Sequence, residues 1–144
     1  QGSRVFSANH RKISAIAKHA GITKKRQQLL FRIVQYFQPK TVLELGTSLG
    51  MGTAALSLGN TSADIKTIEG CPNTAKIAKR QFEDFQLKNI ELHIKSFEDF
   101  FEKDSTVHYD LVYIDGNHEK GKTFYWGLVF FRKEQEKQHF CIRL

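Results

Sequence analysis

Apolar positions follow one rhythm before residue 40 and another after it. In residues 10–19, Ile13, Ile16 and Ala17 share a helical face, and Gly21 stops the run. Thr23 is placed to cap a second helix, whose expected apolar stripe is Leu29, Leu30, Ile33, Val34 and Phe37, with Pro39 as its stop. From residue 41 the chain alternates between short apolar runs and helical patterns. Strands are predicted at "TVLELG" (41–46), "DIKTIEG" (64–70), "NIELHIKS" (89–96), "YDLVYIDG" (109–116) and "HFCIRL" (139–144). Helices are predicted over 51–59, over 71–86 with Pro72 in the first turn, over 97–104, and over most of 119–138. This order predicts an α/β fold, a Rossmann-like doubly wound parallel sheet. The expected division is an N-terminal helical segment, 1–38, and a core, 39–144.

Right-handed crossovers bring the C-terminal ends of parallel strands to one edge, where such sheets bind ligands. The distinctive polar residues of four strands fall at that edge. Gly46 and Gly50 follow the first strand, Glu69 ends the second, Ser96 and Phe97 follow the third, and Asp115 ends the fourth. Glycines in such a turn let the backbone bend tightly and approach a ligand closely. A carboxylate at Glu69 is placed to accept hydrogen bonds from both hydroxyls of a ribose. A surface carboxylate at a strand end is the blander reading of Glu69. Glu44 is unexpected within an otherwise apolar strand.

Composition adds limits. At 144 residues the chain has the length of one domain, and its 40% hydrophobic and 26% charged content is ordinary for a globular protein. No apolar run approaches the roughly 18 residues of a membrane span, and the N-terminus shows no secretory pattern. Two cysteines, Cys71 and Cys141, lie far apart without metal-type spacing, which suits a reducing, cytoplasmic setting. The net charge is +7, with Arg4, Arg11, Lys12, Lys18, Lys24, Lys25, Arg26 and Arg32 near the N-terminus. A basic face can meet nucleic acid, but no aromatic stacking pattern or nucleic-acid motif accompanies it, and a solvated helix surface explains it as well.

Taken together, "LELGTSLGMGT", "IKTIEG" and "YDLVYIDGNH" resemble the first, second and fourth motifs of class I S-adenosylmethionine-dependent methyltransferases, in the version found in small-molecule O-methyltransferases. The resemblance covers about residues 22–126. It implies S-adenosyl-L-methionine as cofactor and a small-molecule methyl acceptor. It places Glu44 beneath the loop, Gly46, Thr47, Ser48 and Gly50 beside the methionine part, and Glu69 at the ribose. Gly70, Ser96 and Phe97 would border the adenine, Asp115 would face the reacting end, and residues near Ile22 to Lys24 would cover the methionine carboxylate. His118 is the candidate base, with Asp115 beside it; metal-dependent relatives carry a lysine at about the place of His118.

The resemblance also implies seven strands, of which five are found, so the fold is expected to be C-terminally incomplete. Further metal ligands would lie beyond the fifth strand, and no metal site is expected. An uncovered fifth strand would be an edge that pairs, which leaves a homodimer open. Four functions stand: a small-molecule methyltransferase, a non-catalytic cofactor-binding module, a nucleic-acid methyltransferase, and a nicotinamide-dependent short-chain dehydrogenase. The last lacks its Tyr-x-x-x-Lys pair downstream of the glycines, since Tyr36 and Lys40 precede them. A Gly-Lys-Ser/Thr phosphate loop is absent from the sequence.

Overall fold

The computed structural model describes residues 22–103, 108–115 and 140–143. The predicted helices at 10–19 and 119–138, and His118, lie outside them. Five parallel strands form one sheet: β1 (Thr41–Leu45), β2 (Asp64–Glu69), β3 (Ile90–Ile94), β4 (Leu111–Ile114) and β5 (Phe140–Arg143). Their order is β3-β2-β1-β4-β5. Among the described residues, four helices accompany them: α1 (Lys24–Phe37), α2 (Met51–Gly59), α3 (Pro72–Asp84) and α4 (Phe97–Lys103). The chain runs outward from β1 to β3, then crosses to the other side of β1. The strand order therefore reverses between β1 and β4, the place where open α/β sheets form a crevice.

Alternation along the strands divides the core. Val42, Ile65, Leu111 and Tyr113 join Leu30 and Val34 of α1 and Ala55 and Leu56 of α2. Leu43, Leu45, Ile68, Val112 and Ile114 pack on the opposite face with Phe100 of α4. The α1 stripe is narrower than its sequence suggests. Leu30 and Val34 are fully buried, whereas Leu29 and Phe37 are 44% and 47% exposed. Residues 30 and 34 are one turn apart; Leu29 sits about 100° around the helix from Leu30 and faces away. The helix stops where Pro39 predicts: Gln38, in the left-handed region, donates its backbone N–H to the Val34 carbonyl, and Pro39 follows.

The helix after the glycine loop spans its predicted residues, 51–59, whereas several other elements are shorter than predicted because their ends have other partners. Gly46 leaves β1 with a φ of +105°. Asn89 precedes β3, where its side-chain amide donates to the carbonyls of Asn60 and Ala63. Ser96 caps α4 rather than extending β3: its Oγ accepts the Asp99 N–H and donates to the Asp99 carboxylate. Asp110 precedes β4, and its carboxylate accepts the N–H groups of Lys40 and Thr41, clipping the start of β1. Cys71 caps α3 at its N-terminus and Phe85 ends it, after which Gln86 has a φ of +55°.

Candidate functional site

A polar row crosses the middle of the sheet. In register, Glu44 of β1 has Thr67 of β2 on one side and Tyr113 of β4 on the other. All three are essentially excluded from solvent. Thr67 Oγ1 donates to Glu44 Oε2 at 2.6 Å, and Thr53 Oγ1, from α2, donates to the same oxygen. A side chain at Gly52 would come within 2.8 Å of Glu44 Oε1, so α2 can close over the carboxyl only because residue 52 has none. Burial pushes the Glu44 carboxyl up to about 8; the two threonine hydroxyls oppose this, and the charges of Asp115 and Glu69 add to it. The Tyr113 hydroxyl is buried with no hydrogen bond of good geometry among the described residues. Burial first, then the acidic groups Asp115 and Glu44, hold its proton well above the usual tyrosine range, while Arg26 acts in the opposite direction.

Above this row, at the C-terminal edge, lies the glycine loop. Gly46, Ser48 and Gly50 have φ values of +105°, +50° and +83°. The N–H groups of Gly46 and Thr47 both donate to the Ile68 carbonyl, which ties the loop to β2. At Gly50 an added Cβ would lie 2.6 Å from the Phe82 ring of α3. That glycine therefore serves both the turn and the helix contact. Glu69 is held by two backbone donors: Ser48 N–H reaches Oε2 and Cys71 N–H reaches Oε1, each at 2.9 Å. Each oxygen keeps a further lone pair for a ligand. A side chain at Gly70 would make an ordinary contact with the Lys95 carbonyl, at 3.9 Å, so Gly70 is not held there by close packing. The Cys71 thiol is shifted down, chiefly by the Thr74 side chain.

A pocket opens at the strand-order reversal, lined by Ile22, Thr47, Ser48, Leu49, Met51, Gly52 and Asp115. It meets the first turn of α2, where unpaired backbone N–H groups favour an anion. Of the sequence-predicted residues, the structure brings Thr47, Ser48 and Asp115 together here, along with Ile22. Lys24 is exposed and is not among the lining residues. Phe97 is half-buried against the core cluster behind the sheet. Ser96 has its capping role. Sequence reading passed over Thr67, Thr53, Tyr113, Leu49 and Met51. The available signal was strand alternation: Thr67 lies two residues before Glu69, on the same face of β2. Among the described residues, no group of three or more His, Cys, Asp or Glu side chains could hold a metal ion, and no helix is long and apolar enough to cross a membrane.

No protein-family model matches the chain. Solved structures do resemble it. The O-methyltransferase TomG from Streptomyces achromogenes, in complex with SAM, superimposes with a TM-score of 0.77 at 17% identity, covering 91% of this chain and 63% of that one. An O-methyltransferase from Bacillus cereus, in complex with SAH, gives 0.73 at 19% identity, covering 85% and 57%. A methyltransferase from Geobacter sulfurreducens gives 0.74 at 18% identity, covering 92% and 68%. The chain thus has the Rossmann-like fold of the class I methyltransferases. It spans about three-fifths of the length of the first two proteins.

Proposed function

We propose that the chain is the S-adenosylmethionine-binding core of a methyltransferase that modifies an oxygen of a small molecule. One observation carries this reading. In a class I methyltransferase fold, a carboxylate oriented by two backbone donors, Glu69, is bonded to a glycine loop that sits at the strand-order reversal. Glu69 is suited to the ribose hydroxyls. Gly46, Thr47, Ser48 and Gly50 would border the methionine part, with Glu44 beneath them. Gly70, Ser96 and Phe97 would border the adenine. The cofactor supplies a methyl group activated on a sulfonium, and the protein's task is to align it with the acceptor. Such alignment is worth about 7–11 kcal/mol of the barrier. Asp115, which lines the pocket, would face the reacting end. His118 is our candidate for removing the acceptor's proton. A reducing cytoplasm fits the two widely spaced cysteines.

A second reading is a module that binds the cofactor without turnover. Titration calorimetry with S-adenosylhomocysteine tests both through their shared site. Binding is expected, and Glu69→Ala should weaken it by about 1.5–3 kcal/mol, the scale of a charged hydrogen bond. Tight NAD binding without any S-adenosyl ligand would reject the proposal. A methyl-acceptor panel then separates enzyme from module.

A further inference from the structure

Thr67 is buried in the middle of β2, and its hydroxyl is 2.6 Å from Glu44 Oε2 and 2.6 Å from Thr47 Oγ1. A hydroxyl can both donate and accept. The Thr67 hydroxyl therefore bridges Thr47 and Glu44, through residues at most 2% exposed. Glu44 Oε2 is held from its other side by Thr53. Two residues on one face of β2 thus grip two consecutive residues of the glycine loop: Thr67 holds the Thr47 hydroxyl, and Glu69 holds the Ser48 N–H. The grip matters because three of the five residues 46–50 have positive φ, and Ser48 is not a glycine. Local preference does not maintain that backbone, and surrounding contacts must.

We infer that Thr67 is a positioning residue for the cofactor: through Thr47 it fixes the shape of the loop wall that the methionine part of S-adenosylmethionine would meet. The inference rests on the cofactor reading above. It separates two parts of the ligand. The loop segment held by Thr67 borders the amino-acid moiety, whereas the adenosine moiety is assigned to Glu69 and Gly70. Loss of the Thr67 hydroxyl should weaken the first contact and spare the second.

The test is calorimetry on the whole chain with two nucleosides, S-adenosylhomocysteine and 5′-methylthioadenosine, which lacks the amino-acid moiety. Thr67→Val keeps the side-chain shape and removes the hydroxyl. It should weaken S-adenosylhomocysteine about tenfold, the scale of one hydrogen bond, and change 5′-methylthioadenosine by less than about twofold. Thr67→Ser should restore the first affinity. Should Thr67→Val not fold, Thr47→Val carries the same comparison, since it removes the other end of the bond. Equal weakening of both nucleosides, or no change in either, overturns the inference. Wild-type protein that binds neither nucleoside instead rejects the cofactor reading itself, and the inference with it.

Discussion

Replacing Glu44 by Gln should remove a pH dependence of stability that the wild type shows. The folded-state carboxyl lies at about 8, against an ordinary 4.5, mainly because it is buried. Between those values the folded protein keeps a proton that the unfolded chain releases. Stability from this group is therefore fully present below about pH 4.5 and is lost as pH rises through about 8. The slope is at most about 1.4 kcal/mol per pH unit, which sums to about 4 kcal/mol between roughly pH 5 and pH 9. Gln keeps the shape and an acceptor oxygen for Thr53 and Thr67 but has no proton to lose. Urea unfolding of both proteins across this range is the assay, and contributions from other groups cancel in the difference. Wild type should lose about 4 kcal/mol relative to the variant as pH rises. A difference that stays constant with pH would refute the reasoning, because Glu44 would then ionise alike in the folded and unfolded chains.

Three other outcomes are expected. Gly46→Val places a branched side chain at a φ of +105°, and S-adenosylhomocysteine binding should fall at least tenfold by calorimetry while the circular dichroism spectrum is kept. Gly50→Ala combines a φ of +83° with a Cβ 2.6 Å from the Phe82 ring; it should cost about 2 kcal/mol or more in urea unfolding, and Phe82→Leu in the same chain should recover part of the loss. Filter binding with duplex DNA and structured RNA at physiological salt should show little retention; salt-sensitive submicromolar retention would promote the nucleic-acid methyltransferase reading.

The strands and the doubly wound class of their sheet were legible because each depends on short-range pattern. Short apolar runs mark β1, β2 and β4, alternation marks β3, and glycines mark the turn after β1. The buried row was not legible. Glu44, Thr67 and Tyr113 come from three strands, and Thr53 comes from a helix, so their meeting depends on register. Locally, each is only a polar group within an apolar run. Alternation could have paired Thr67 with Glu69, but nothing in β2 alone identifies Thr47 as the partner. The α1 stripe erred for a similar reason. Leu29 and Phe37 are apolar, and only the position of α2 decides which side of α1 is covered.

Gly59 bears on this from a distance. A Cβ there would sit 2.8 Å from both the Phe31 carbonyl and Val34 Cβ, so α1 and α2 touch at the limit of backbone approach. The first turn of α1 is continuous with the pocket wall: Thr23 caps the helix, and the Gln27 side chain holds the Ile22 carbonyl at 2.9 Å. Residue 59 is therefore a spacer for the pocket as well as for the core. Any larger residue would have to push α1 away from α2. The seat of the helix that begins beside Ile22, a pocket-lining residue, is thus set partly at the far end of α2, by an atom that is not there.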